Sequence, residues 1–272
     1  MNDRILLATD GHEPSEAAIA LLERLVDRST SIDVLCVETF DLALEAAEDI
    51  GHYSVEAARE RAERLAEAAA ERLRRAGFSA STRVEAGPPA DRIVDVLAGG
   101  GHQLAVLGGG RHTWLGQRLL GSVSTGVLHS ATTPVLIVRE ARDGDVVRVL
   151  VGADGSEDVA RALTVFASVA DPERCSLLVL SVTDPGAGDD HPDREAARFT
   201  GAAAETLRTR GFESVERVVS GNVARALLEE ADGGGHDLVV IGSRGRVVTR
   251  RATLGAVSDR LVRAAPATLL GR

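Results

Sequence analysis

At 272 residues the chain is long enough for two domains of the usual ~100–200 residues, each with its own hydrophobic core. Its 44% hydrophobic content fits a globular protein rather than a disordered one, and no apolar run is long enough to span a bilayer. With 41 acidic against 31 basic residues the formal charge is −10, which disfavours nucleic-acid binding unless the positive charge is strongly segregated.

In chain order, short apolar β-rich runs occur near 4–9, 32–37, 82–85, 103–107 and 134–138. Helical segments lie between them. Pro14 with Glu16 marks the start of a helix near 14–28, and the Ala-, Glu-, Arg- and Leu-rich stretch 54–76 stops at Gly77. A polar seam, EARDGD at Glu140–Asp145, follows. The order then starts again, with strands near 148–152, 176–182, 215–219, 237–241 and 267–270.

The second half is a copy of the first. RILLATDGHEPSEAAIALL at 4–22 recurs as RVLVGADGSEDVARALTVF at 148–166, and AGGGHQLAVLGGG at 98–110 recurs as ADGGGHDLVVIGSRG at 231–245. The offset is 144 from Asp10 to Asp154 but 134 from Gly108 to Gly242, so the second copy is ten residues shorter after its second strand. Five strands with helical crossovers predict a doubly wound α/β sheet in each copy, mostly parallel, in the order 3-2-1-4-5, with helices on both faces. The copies divide as 1–142 and 143–272. Their final strands are expected to pair, because an apolar edge strand left open would aggregate, and the second, in ATLLGR, is expected to pair over the shorter length.

Ligands of such sheets bind beyond the carboxyl ends of the strands where strand order reverses, between strands one and four. An aspartate follows strand one in both halves (Asp10, Asp154), and glycines follow strand four (Gly108, Gly242). In the second half Gly242-Ser243-Arg244-Gly245 is followed, after nine residues, by Gly255-Ala256-Val257-Ser258 at the start of the last helix. Glycine lets backbone approach a phosphate, and a helix N-terminus adds free amides and a positive dipole. That makes an anion cradle without lysine, of which the chain has none.

These residues resemble the universal stress protein family, whose nucleotide-binding members carry Gly-x2-Gly-x9-Gly-Ser/Thr and an aspartate after the first strand. The resemblance covers nearly the whole chain as two tandem copies. It implies ATP binding, with adenine and ribose near the strand-one aspartate and the end of strand two, and phosphates along the glycine loop. By matching position, the first site would hold Asp10, Val37, Gly108, Gly121, Ser122, Val123 and Ser124. The second would hold Asp154, Val182, Gly242, Gly245, Gly255, Val257 and Ser258. Mg²⁺ is a candidate companion of the triphosphate, held mainly by phosphates and water. Both copies depart from the pattern: Arg111 stands where the second motif glycine belongs, beside Gly110, and Ala256 replaces the Ser/Thr. On glycine spacing, the second loop is expected to be the better phosphate binder.

Other polar residues have simpler readings. The triplets Gly99–Gly101 and Gly233–Gly235 precede strand four and read as helix stops, with His102 and His236 in solvent-exposed turns. His12 and His112 fall near the first site, where they could contact phosphate or ribose or be solvated loop residues, the latter being the commoner case. Trp114 could cover a ligand or bury itself between domains, and Arg244, Arg246, Arg250 and Arg251 could reach phosphates or form a solvated basic loop. Cys36 and Cys175 read as buried reduced thiols. The start MNDRILLATD has no charged-then-apolar leader, so a cytoplasmic location is expected, with no membrane partner.

The implied function is an ATP-binding regulator or sensor whose tandem copies form an intramolecular pseudo-dimer, with self-association of whole chains left open. No recognisable catalytic set points to an enzyme. An interaction module without nucleotide, supported by Arg111 and Ala256, and a slow ATPase are the alternatives. The stress sensed and the protein partner are not written in the sequence.

Overall fold

The computed structural model describes residues 3–38, 55–110, 120–183, 192–245 and 254–272. The first half runs β1 (Arg4–Ala8), α1 (Glu13–Leu25), β2 (Ser31–Glu38), α2 (Val55–Arg75), β3 (Ser79–Ala86), α3 (Pro89–Gly100), β4 (Leu104–Gly108), α4 (Ser122–Ser130) and β5 (Val135–Val138). The second runs β6 (Val147–Gly152), α5 (Glu157–Val169), β7 (Cys175–Thr183), α6 (Pro192–Arg208), β8 (Ser214–Ser220), α7 (Val223–Gly233), β9 (Leu238–Gly242), α8 (Ala256–Ala264) and β10 (Ala267–Gly271). Among the described residues no helix is long and apolar enough to cross a membrane.

The strands form one ten-stranded sheet in the order β3-β2-β1-β4-β5-β10-β9-β6-β7-β8. Each half therefore has the order 3-2-1-4-5 with parallel neighbours, as the crossovers predict. The halves join where β5 and β10 pair antiparallel, from Val135↔Leu270 to Val138↔Ala267. Apolar side chains above and below the sheet form two clusters, one under α1, α2, α5 and α6 and the other under α3, α4, α7 and α8. Both clusters run through both halves, and each fully buried Leu, Ile or Val contributes about 1.5–3 kcal/mol. The outer strands β3 and β8 carry Arg83, Glu85, Glu216 and Arg217, charges that oppose edge-to-edge pairing.

The expectation of a shorter pairing for the second final strand is corrected. β10 has five residues against four in β5. The extra residue is Gly271, where an added Cβ would lie 1.7 Å from the Asp158 carbonyl oxygen, so only glycine lets the strand run on beneath α5.

The histidines after the glycine triplets are also corrected, from exposed turns to buried positions. The side chain of His102 is 3% exposed, and its Nε2 lies 2.9 Å from Asp33 Oδ2 on β2. His236 is buried with Nδ1 3.0 Å from the Glu230 carbonyl. In each copy the ring folds back over the preceding helix end, where a Cβ on Gly100 or Gly234 would come within 2.5 Å of it. The triplets thus stop their helices and also make room for an imidazole. The thiols of Cys36, buried, and Cys175, half-buried, are free, and burial pushes them up to about 11 and about 12 respectively, so both stay protonated at neutral pH.

Polar contacts close the join. Val26 and Ala170, just past α1 and α5, form an antiparallel bridge flanked by Asp27 N to Val169 O and Asp171 N to Leu25 O, both 2.8 Å. Arg24 of α1 reaches across the seam, donating to the carbonyls of Arg142, Gly144 (2.6 Å) and Val146 (3.0 Å) and lying 3.5 Å from buried Asp237. Arg24→Ala removes these bonds and leaves Asp237 without its cation, so urea unfolding should show a loss of about 1–3 kcal/mol, with Arg24→Lys recovering less than half.

Asp33 gives a pH-dependent expectation. Burial raises its pKa, but hydrogen bonds from Ser81 and His102 and the charge of Arg4 outweigh this and hold it below the usual carboxylate value. Its contribution is therefore complete above the unfolded value and is lost as pH falls through the lower folded one. Asp33→Asn should lower Tm at pH 7, with the gap from the parent narrowing only below about pH 4.

Candidate functional site

In the first half the ends of β1, β2 and β4 and the starts of α1, α3 and α4 enclose a cleft of about 450 Å³. All seven residues expected of the first site line it: Asp10, Val37, Gly108, Gly121, Ser122, Val123 and Ser124. Pro14, Leu35, Pro89 and Ile93 add apolar wall, and His12, Ser15 and Gly110 are also among its lining. The volume is in the range of small-molecule pockets, and the place is the strand-order reversal.

Asp10 holds the turn into α1. Its Oδ1 accepts from the His12 amide at 3.0 Å and from the Ser15 hydroxyl. The His12 ring Nδ1 lies 3.0 Å from the Asp10 carbonyl oxygen and 3.3 Å from Oδ2. Burial raises the Asp10 pKa, but the Ser15 and His12 hydrogen bonds and the His12 ring outweigh it, so the carboxyl is held below its usual value and is ionised at neutral pH. Gly108 is where β4 passes the start of α1. A Cβ there would come within 2.9 Å of Pro14 and the Ser15 amide, so any side chain would push these elements apart.

The second half reproduces the scaffold. Asp154 Oδ1 accepts from the Ser156 amide at 2.9 Å, and its Oδ2 lies 3.5 Å from where a Cβ on Gly245 would be. The Gly255 amide donates to the Ser243 carbonyl at 2.9 Å, closing the loop onto the start of α8. Asp154, Gly242, Gly245, Gly255 and Ser258 therefore come together, while half-buried Val182 and Val257 pack on the apolar cluster of that face. α4 and α8 begin at Gly121 and Gly255 with no side-chain cap, which leaves first-turn amides as potential anion donors.

Ser124 and Ser258, both expected of the sites, have their hydroxyls engaged within the scaffold. The Ser124 hydroxyl donates to Gly108 O at 2.7 Å and that of Ser258 to Gly242 O at 2.8 Å. Each spends its only proton tying a helix start to the end of the neighbouring strand. Arg111, His112, Trp114, Arg246, Arg250 and Arg251 lie outside the described residues.

Two functional-site charges were not anticipated from the sequence. Arg139, buried just after β5, donates Nη1 to the Gly109 carbonyl at 3.2 Å. Asp158, buried at the start of α5, accepts from Ser243 Oγ at 2.7 Å and from Arg244 Nε at 3.2 Å. The repeat offset shows that Asp158 replaces Pro14, but not that it faces a loop 85 residues away.

The universal stress protein family model matches residues 1–139 and again 147–270. The chain belongs to the universal stress protein family. A universal stress protein of Mycolicibacterium smegmatis is 33% identical over 178 residues, which cover 60% of this chain and 59% of that relative. The match thus spans less than two thirds of the relative's length. The crystal structure of a universal stress protein from Archaeoglobus fulgidus superposes with a TM-score of 0.71 at 26% identity, covering 99% of this chain and 98% of the other. A Pseudomonas aeruginosa protein provisionally named for the same family shares the fold, with a TM-score of 0.64 at 17% identity over 99% and 92% of the two chains. The tandem form of the family thus extends over both copies of the repeat.

The serine ties are open to measurement. Ser124→Ala and Ser258→Ala each leave a glycine carbonyl without its donor, and each should cost about 1–3 kcal/mol in denaturant unfolding.

Proposed function

We propose that the chain is a cytoplasmic regulatory or sensor protein that binds ATP. The observation that carries this reading is the first cleft, which combines an apolar wall, an ionised carboxylate at the end of β1 and a strand end with no room for a side chain. Each part suits one portion of the nucleotide. Val37, Leu35 and Ile93 offer apolar surface to a base, and Asp10 Oδ2 can accept from ribose hydroxyls. The Ser122 hydroxyl and the first-turn amides of α4 can donate to phosphate oxygens.

Among the described residues no three His, Cys, Asp or Glu side chains cluster, so a Mg²⁺ ion accompanying ATP would draw most of its oxygen ligands from phosphate and water. Turnover is expected to be slow. The titratable groups described in the first cleft are Asp10 and His12, which are bonded to each other, and rapid phosphoryl transfer needs a positioned water or base and charge stabilisation. Binding would act through stability, since a ligand at 100 times its Kd adds about 2.7 kcal/mol per site.

Mass spectrometry of natively purified, then denatured, protein should release adenine nucleotide. Added ATP should raise Tm, Asp10→Ala should weaken binding at least tenfold, and hydrolysis should stay below about 1 per second. Absence of bound nucleotide and of any thermal shift would leave an interaction module as the better reading.

A further inference from the structure

The repeat allows the two candidate sites to be compared position by position. Pro14 and Gly110 line the first, with Gly109 between Gly110 and the end of β4. At the corresponding positions the second domain has Asp158, Ser243 and Arg244. The three replacements bond to one another. Ser243 Oγ and Arg244 Nε both donate to Asp158 Oδ2, at 2.7 and 3.2 Å. Asp158 is 8% exposed, and its Cβ lies 3.0 Å from where a Cβ on Gly242 would be, so the acid sits directly against the end of β9. Arg272 adds a nearby cation, but its Nη1 is engaged with the Ala131 carbonyl of the first domain at 2.6 Å.

We propose that this triad closes the second site to polyphosphate, and that Asp158 is the residue that makes the chain bind one ATP rather than two. The inference rests on the nucleotide-binding reading of the first cleft. A phosphate approaching the second loop meets a fixed carboxylate where the first domain has the uncharged Pro14. Arg244 cannot simply turn to the ligand, because its departure would leave Asp158 buried without its ion-pair partner. Ser243, likewise, spends its proton on the acid. The ranking expected from glycine spacing is thereby reversed: Gly245 satisfies the spacing, but the Asp158–Arg244 ion pair and the serine bonded to it decide occupancy.

The test is titration calorimetry of the full chain with ATP and, separately, with adenosine. Wild type should show one ATP event. Asp158→Asn keeps the shape and an acceptor for Ser243 while removing the charge, and should add a second event with affinity at least tenfold higher than that site has in wild type. Adenosine, which carries no phosphate, should change less than twofold in the same variant, an outcome that a loosened fold would not give. The reciprocal change, Pro14→Asp, introduces a carboxylate at a helix start that tolerates acids and should weaken ATP binding to the first site at least tenfold. Two equal ATP sites in wild type, no gain in a folded Asp158→Asn, or unchanged affinity in Pro14→Asp would each overturn the inference. No ATP event in any of these proteins would instead overturn the nucleotide-binding reading itself.

Discussion

β5 is four residues long, and all four side chains are at most 1% exposed. A strand so short and so apolar cannot serve as an open edge, because its unpaired backbone groups would sit beside hydrophobic surface and invite pairing with other chains. β10 meets the same need from the other half, and antiparallel pairing of the two satisfies both at once. The remaining architecture follows from that ladder. The apolar clusters become continuous, the charged strands β3 and β8 become the outer edges, and the strand ends that carry the two candidate sites point in opposite directions. The bridge between Val26 and Ala170 repeats the twofold relation one layer above the sheet.

Much of this could be read from the sequence, because it depends on signals local to a few residues. Apolar runs placed the strands in order, helix formers placed α1 and α2, and the internal repeat showed that the second half copies the first. The strand-one aspartates and strand-four glycines fell at the reversal point because topology, and not side-chain detail, brings those strand ends together. What could not be read depends on contacts between distant segments. The burial of His102 requires Asp33 on β2, 69 residues earlier, to accept its proton and Gly100 to give it space. The extension of β10 depends on how near α5 lies to Gly271, a distance with no counterpart in local composition.

The serines of the glycine loops show a third kind of limit. Their positions are those expected of the two sites, yet a hydroxyl has one proton and the strand-end carbonyl takes it in both halves. Position in a motif thus identifies where a residue sits but not which neighbour wins its hydrogen bond. Arg139 makes the same point from the opposite direction: outside any motif and following an apolar strand, it still donates to the loop carbonyl of Gly109.

Fusion into one chain changes what a substitution near a site can do. In a dimer of identical subunits a carboxylate placed under the anion cradle would appear in both sites, so any gain from altering one would be tied to the loss of the other. In a tandem chain Asp158 can replace the counterpart of Pro14 once, while the β5–β10 ladder keeps the two halves in register at high effective concentration. The scaffold residues Gly108 and Gly242, Ser124 and Ser258, and Asp10 and Asp154 retain their matching contacts in both halves, because each supports the packing of its own strand ends. Charge at the candidate sites is free of that demand and differs between them, so the two halves can share one fold while presenting different electrostatic surfaces to an anion.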